Sequence, residues 1–395
     1  MVFSHDKYRA AWRVLNGAIA DGLITPDDKS TLVAHSLEVK AAVAHMFDAF
    51  REFFWDERNW FGPENAAQAG RPIVVETDAH PDVVARRKPC IVALRAAQRT
   101  ALPLVGHIAQ LTAKIYASVP GTKHALADAG SGASVQPTES CFAGMRWEVN
   151  NGHRVKRADW SPEMVRVLDA AMVILDAIRD DESLAAAHYT DPGDDAWRHL
   201  RWCMRNTKYE PEINPLGYLY AQMLVLSRDF HADMGALLGR FGQYLPAKMK
   251  GSRRAKHKCN NDYAGEARPE SSHIKDVLRG SVVVTEHDAL VRAHAALVAA
   301  YPPVSLKDRR DDPPHDALQT IEYRGVIVEV QFHFECVIAL KKFSHVAYNL
   351  DRFEMTPRQE ENAVLYAWNG NLVHFPGCTD LHTVRRDQLR CALVI

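Results

Sequence analysis

Two acidic side chains lie where short strands could bring them to a single cation. Asp276 comes just before the β-branched run Gly280–Thr285, and Glu329 lies inside the strongly β-forming segment Val326–Phe334. Mg²⁺ usually takes only one or two protein carboxylates and leaves its other positions to phosphate oxygens and water. Asp276 and Glu329 meet that requirement in type and number, although a pair of carboxylates in a chain with 49 acidic residues is by itself a weak signal.

The alternation within Val326–Phe334 gives this segment one apolar and one polar face. Successive side chains of a strand point to opposite sides, so valines and phenylalanines share one face while Glu329, Gln331 and His333 share the other. The apolar face is expected to pack on helices. The polar face fits either a ligand site or the solvated side of an antiparallel sheet, and both interpretations stay open.

A basic cluster precedes the first carboxylate. Lys and Arg occupy six of the eleven positions 248–258. Cations beside a carboxylate–metal pair suit a triphosphate, because they neutralise phosphate charge that the metal does not. A solvated charged linker is the competing interpretation. The sequence contains no GxxxxGK[ST], so this is not a P-loop site.

A second polar surface is predicted on the segment 336–352. Lys341, His345, Tyr348 and Arg352 are spaced four, three and four residues apart, which places them on one face of a helix. This face fits either the wall of a ligand site or a solvated outer surface.

Composition bounds the class of protein. The chain has 395 residues, is 47% hydrophobic and carries a formal net charge of -1, which excludes a disordered chain and a generally basic nucleic-acid coat. No apolar run reaches the roughly 18–20 residues of a membrane span, and residues 1–15 hold no apolar signal core. Seven scattered cysteines do not form a disulfide framework. We therefore expect a cytoplasmic protein that binds neither membrane nor DNA; an oligomer is left open.

The coarse secondary structure changes character along the chain. Helical spacing of apolar residues predicts helices at 8–20, after Pro26, at 82–118, at 161–187 with Ser161 as cap, and at 216–245. The later residues predict a strand, a helix, a strand, a hairpin turning at Arg324–Gly325, and a final helix. This order predicts an α+β fold. We place a helical accessory or regulatory domain at 1–206, a sheet domain at 207–354 and a C-terminal extension at 355–395.

The order of these pieces resembles the RelA/SpoT-like nucleotidyltransferase domain over residues of about 245–353. The segments that carry the resemblance are KMKGSRRAKHKCNNDY, IKDVLRGSVVV, VSLKDRR, VIVEVQFHF and KKFSHVAYNLDR. The resemblance implies a nucleotidyltransferase-like mixed β-sheet flanked by helices. It also implies an enzyme that uses Mg²⁺ to transfer pyrophosphate from ATP to the 3′-hydroxyl of an acceptor nucleotide, as in alarmone synthesis during the stringent response or in a growth-inhibiting toxin.

The same resemblance assigns roles to individual residues. Asp276 and Glu329 would hold Mg²⁺, and Glu329 would also take, or orient the base that takes, the hydroxyl proton. The residues implied to bind ATP and phosphate are Lys250, Arg254, Lys258, Arg279, Lys307 and Arg309, with Lys307 and Arg309 on one strand face. The residues implied to line the acceptor side are His315, Gln331, His333, Lys341, His345 and Tyr348.

One departure from the family bears on the acceptor. Where the family usually has a Gly-Tyr whose ring stacks on guanine, this chain has Asp311–Asp316, with only His315 able to stack on a base. GDP or GTP, an adenine nucleotide and the 3′ end of tRNA therefore all remain candidate acceptors. Two alternatives also remain: an inactive nucleotide- or RNA-binding interaction protein, and an enzyme that transfers NMP and releases pyrophosphate.

Overall fold

The structure is a computed structural model that forms two compact units. The first comprises Met1–Ser118 and Cys336–Ile395, and the second comprises Val119–Glu335. The residues that the structure describes are 5–55, 81–118, 155–156, 160–180, 212–213, 215–251, 255, 258–259, 262–265, 270–309 and 317–351. The domain boundaries expected at 206 and 354, and the extension 355–395, lie outside these described residues.

The described part of the first unit is built from helices. Its helices are α1 (His5–Ala20), α2 (Pro26–Trp55), α3 (Pro81–Ser118) and, from the later part of the chain, α7 (Glu335–Asp351). α2 and α3 pack along each other, and buried leucines such as Leu32 and Leu94 fill the core. The rings of Trp12 and Phe343 lie 4.5 Å apart, and Gln98 donates a 3.0 Å hydrogen bond to the Leu350 carbonyl, so α7 packs with the N-terminal helices.

A capping box starts α2. The Thr25 Oγ1 accepts from the Asp28 N–H at 3.1 Å, and the Asp28 carboxylate accepts from the Thr25 N–H at 2.8 Å. This reciprocal pair satisfies two backbone donors that a helix N-terminus leaves open. The helix expected after Pro26 is confirmed, as are those predicted at 8–20 and 82–118.

The second unit is a mixed sheet with helices. Its elements are β1 (Val155–Lys156), α4 (Pro162–Asp180), β2 (Glu212–Ile213), α5 (Pro215–Leu238), β3 (Gln243–Pro246), β4 (Arg279–Val284), α6 (His287–Ala300), β5 (Pro303–Asp308), β6 (Ala317–Tyr323) and β7 (Val326–Phe334). A short 3-10 helix spans Glu270–His273. β1 and β2 form a separate pair, and the main sheet has the order β3-β4-β7-β6-β5, in which only the β4–β7 pair is parallel.

Glycines set two features of this sheet. The predicted hairpin turns at Arg324 and Gly325, whose φ values of 49° and 82° match the left-handed turn that suits the twist of antiparallel strands. The helix predicted over 216–245 is wrong in its last part, since α5 ends at Leu238 and β3 follows. Gly242 makes that strand possible, because a Cβ there would collide with the Val283 carbonyl oxygen of β4.

The two faces of the sheet differ as the alternation predicts. Val328, Val330 and Phe332 are fully buried on the face that contacts α5 and α6. His294 Nε2 of α6 lies 3.0 Å from Gln319 Oε1 on that face, so this buried histidine has a polar partner within the core. The described residues thus form a mixed α+β protein with a helical N-terminal part. None of the described helices has the length and apolar character needed to cross a membrane.

Candidate functional site

The register of β4 and β7 brings the two carboxylates to the same part of the sheet. Arg279 pairs with Glu329 and Ser281 with Gln331, and the Glu329 N–H donates to the Leu278 carbonyl at 3.1 Å. Asp276 lies three residues before Arg279, in the segment that leads into β4. The two acids are close enough for Asp276 to raise the pKa of Glu329. The two carboxylates therefore lie near enough to interact electrostatically, while their sharing of one magnesium ion stays a prediction.

Two lysines hold the Asp276 carboxylate. Its Oδ2 accepts from Lys250 Nζ and, at 3.2 Å, from Lys258 Nζ, while Oδ1 is buried and accepts no hydrogen bond from the described residues. Burial alone would raise the pKa of Asp276, but Lys250, Lys258 and Arg279 outweigh it and lower the pKa to about 2. Asp276 is therefore an ionised carboxylate with one oxygen left for a further ligand.

The backbone fixes Lys250 in this position. Beyond β3 the chain continues beside the segment that leads into β4: the Ala247 N–H donates to the Arg279 carbonyl at 3.3 Å, and the Lys250 N–H donates to the Val277 carbonyl at 3.0 Å. The Tyr220 hydroxyl donates to the Lys250 carbonyl. The side chain is only 6% exposed; its burial, with the nearby cations, lowers the pKa of Lys250 to about 8 although Asp276 raises it.

A chain of hydrogen bonds runs along β7 from Glu329. Gln331 Nε2 donates to Glu329 Oε1 at 2.6 Å, and His333 Nε2 lies 3.1 Å from Gln331 Oε1. Burial raises the pKa of Glu329, the Gln331 hydrogen bond lowers it, and Asp276 raises it again, so that the net direction is upward. The three side chains that share the polar face of β7 are thus joined to one another.

Further cations lie on the same face of the sheet. Lys307 on β5 pairs with Leu318 on β6, which in turn pairs with Gln331 on β7. Lys307 therefore lies on the same polar face as Gln331, two strands away. Arg309 directly follows β5, which ends at Asp308, so it lies beyond the strand rather than within it. Lys275, which the sequence analysis did not single out, is half-buried here; burial and the nearby charge of Lys307 lower its pKa.

Tyr263 is a second residue that sequence reasoning missed. Its ring lies 5.6 Å from that of His273, and burial raises its pKa while Lys258 opposes the change. Tyr263 is the last residue of the segment KMKGSRRAKHKCNNDY, in which the resemblance gave it no role. Lys258 therefore interacts with both the Asp276 carboxylate and Tyr263.

The described residues of the second unit do not include the remaining predicted site residues. Arg254 and His315 lie outside the described residues. Lys341, His345 and Tyr348 lie on α7, as predicted, but α7 belongs to the first unit. Within the second unit the cluster that can be described consists of Asp276, Glu329, Lys250, Lys258, Arg279, Gln331, His333, Lys275 and Lys307.

This donor set fits a magnesium ion bound together with phosphates. Among the described residues no group of three or more His, Cys, Asp or Glu side chains is placed to hold a metal. Mg²⁺ needs fewer, because it keeps water and takes phosphate oxygens beside one or two carboxylates. Asp276 Oδ1 and Glu329 would supply those two ligands. The cations of this cluster outnumber its two carboxylates, so its formal charge is positive.

Comparison of the chain with protein-family models, with curated proteins and with solved structures finds no match.

Proposed function

We propose that this chain is a pyrophosphokinase with a nucleotidyltransferase-like sheet domain, which transfers the β,γ-pyrophosphate of ATP to the 3′-hydroxyl of an acceptor nucleotide. The observation that carries the proposal is that Asp276, in the segment leading into β4, lies within electrostatic reach of Glu329 on the polar face of β7, beside Lys250, Lys258 and Arg279. The proposal is also supported by the RelA/SpoT-like motifs that surround these residues.

The residues suit this reaction because it needs charge neutralisation and orientation more than covalent help. Asp276 and Glu329 would hold Mg²⁺, which supplies neutralisation of the phosphate charge. Lys250, Lys258 and Arg279 would bind phosphate oxygens and keep the triphosphate in line with the acceptor.

Proton transfer would fall to Glu329. The 3′-hydroxyl oxygen forms a bond to the β-phosphorus of ATP, the bond from that phosphorus to the α,β-bridging oxygen breaks, and AMP leaves. The hydroxyl proton passes to the Glu329 carboxylate. Burial and the charge of Asp276 raise the pKa of Glu329 in the structure without a metal ion, which is the direction that a proton acceptor needs.

A second candidate is a nucleotide- or RNA-binding module without turnover. It is favoured by one observation: Lys250 and Lys258 both bind the Asp276 carboxylate, so this carboxylate is neutralised without a metal ion. Under this alternative the cations would bind phosphates and the carboxylates would only position the lysines.

Incubation with ATP labelled at the γ-phosphorus, Mg²⁺ and separate acceptors distinguishes the two. The acceptors are GDP, GTP, ADP, ATP and tRNA, and products are separated by chromatography. Transfer predicts a labelled acceptor and an equal amount of AMP; an NMP transferase would release pyrophosphate instead. Asp288→Asn is the matched control for replacing a site carboxylate by its amide, since Asp288 is 91% exposed on α6. ATP binding without any labelled acceptor would leave the binding module as the answer.

A further inference from the structure

The polar face of β7 contains a directional hydrogen-bond chain. An ionised carboxylate only accepts, so the Gln331 amide must turn its NH₂ group towards Glu329 and its oxygen towards His333. The amide oxygen in turn only accepts, so His333 Nε2 must carry the proton. The chemistry of Glu329 therefore fixes both the orientation of the Gln331 amide and the tautomer of His333.

Burial separates this chain from solvent at its far end. His333 is 1% exposed, and its strand partner on β4 is Val283. A histidine so enclosed, with Nε2 directed at Gln331, is poorly placed to contact a nucleotide base. Along β7, Gln331 is hydrogen-bonded to Glu329 on one side and to His333 on the other. Its partner on the neighbouring strand β4 is Ser281. These contacts assign both side chains to Glu329 rather than to an acceptor.

We propose that Gln331 and His333 are positioning residues: they hold Glu329 Oε1 so that the other carboxylate oxygen faces the reacting hydroxyl. This inference rests on the proposed function, and it replaces the acceptor-binding role that the family resemblance implies for these two residues. A side chain that orients the catalytic carboxylate acts mainly on kcat, whereas one that binds the acceptor acts on KM and on base preference.

The kinetic test compares substitutions that remove or keep the hydrogen bonds. Gln331→Met keeps the length of the side chain but removes both bonds, and His333→Phe removes the donor. We expect each to lower kcat about tenfold to a hundredfold, with the KM for acceptor changed less than about threefold. His333→Gln, which still offers an N–H near the position of Nε2, should recover most of kcat.

The matched control is Gln243→Met, the same exchange at an exposed position of β3. It should leave kcat and KM at the wild-type values, and melting temperatures identify any variant that has lost its fold. The inference is overturned if Gln331→Met raises the acceptor KM tenfold or more while kcat is kept, or if it changes the preferred base.

A second measurement does not depend on turnover. Nitrogen-15 NMR of the histidine side chains in the full chain should show His333 protonated at Nε2. In Gln331→Met the Nε2–H signal of His333 should no longer be fixed at that nitrogen. An Nδ1–H tautomer in the wild type would mean that the amide is reversed and would overturn the inference. If the wild type transfers nothing, the proposed function fails while this measurement still decides the hydrogen-bond chain.

Discussion

The two carboxylates of the site are held in opposite ways. Asp276 is bound by Lys250 and Lys258, and these cations lower its pKa to about 2 despite burial. Glu329 is bound by the neutral amide of Gln331, and burial together with the charge of Asp276 raises its pKa. One acid is thus bound by two cations, while the hydrogen bond that its neighbour accepts from the described side chains comes from an uncharged amide, and Arg279 and Lys250 lower the neighbour's pKa by less than burial raises it.

This difference separates the roles of two chemically similar side chains. When environments push the pKa values of neighbouring acids apart, the one with the lower pKa stays charged and the other becomes able to exchange a proton. Asp276 is suited to hold a cation throughout a reaction, and Glu329 to accept a proton. The same difference predicts that replacing each acid by its amide will affect stability in opposite directions.

The largest effect is expected from Asp276→Asn. It removes the counter-charge of two lysines, of which Lys250 is only 6% exposed. Breaking such a buried pair from one side costs about 3–5 kcal/mol of unfolding free energy. We expect transfer to be lost as well, and urea denaturation to show the stability loss. Adding Lys250→Met should restore part of the stability without restoring transfer. If Asp276→Asn alone were as stable as the wild type, the cations would not hold Asp276 differently from Glu329.

Glu329→Gln should remove transfer while leaving the fold intact. The amide oxygen still accepts from Gln331, and the change removes a buried acid whose raised pKa makes its ionised form costly at neutral pH. Because the folded-state pKa is above the unfolded one, this acid lowers stability as pH rises through that interval. The unfolding free energy of the variant at pH 7 should equal or exceed that of the wild type, measured in the same urea series. A loss like that of Asp276→Asn would show that the two acids are held alike.

Lys275→Met tests the cationic side of the site with a smaller effect. Lys275 lies near Lys307, and their mutual repulsion helps to lower the pKa of Lys275. We expect ATP to bind about three- to tenfold more weakly by calorimetry, with the difference shrinking as salt increases. Arg292→Ala, on an exposed part of α6, is the control. Equal ATP affinity at low salt would remove Lys275 from the binding surface.

The smallest effect concerns the opposite face of the sheet and is independent of the site. Burial lowers the pKa of His231 on α5 to about 4, and its Nδ1 lies 2.9 Å from the Tyr244 hydroxyl. The unfolded chain therefore binds a proton near pH 6.5 that the folded chain does not, so stability falls as pH decreases from 7 to 5. The expected loss is about 1–2 kcal/mol. His231→Gln should flatten this part of the stability profile; an unchanged slope would show that other groups cause it.

Local sequence patterns predicted most helices and strands. The strand β3 and the positions of Lys250 and Lys275 depend on pairings between distant elements, which such patterns do not show. The alternation in Val326–Phe334 and the turn at Arg324–Gly325 gave β6, β7 and the polar row that includes Glu329. The strand Gln243–Pro246 escaped prediction because its partner, β4, lies more than thirty residues further along the chain. The role of Lys250 against Asp276 depends on that same pairing. Lys275 was missed for a related reason, since its neighbour Lys307 is on β5.

For α7 the local pattern predicted the helix but not what the helix packs against. The face formed by Lys341 and Tyr348 was predicted from helical spacing, and that spacing is present in α7. The packing of α7 with Trp12 and Gln98 could not be read from the sequence, because it joins segments more than two hundred and fifty residues apart. Likewise, the bonds among Glu329, Gln331 and His333 follow from rotamers within one strand, which a pattern of residue types does not specify.

The most direct test of the site is whether Asp276 and Glu329 bind the same divalent ion. Mn²⁺, which reports its own binding by electron paramagnetic resonance, can be titrated into the full chain in the presence of ATP. Asp276→Asn and Glu329→Gln should each weaken protein-bound Mn²⁺ more than about tenfold, and the double variant should be little weaker than either single one. Wild-type Mn²⁺ affinity in both single variants would contradict a shared metal site and, with it, the proposed chemistry.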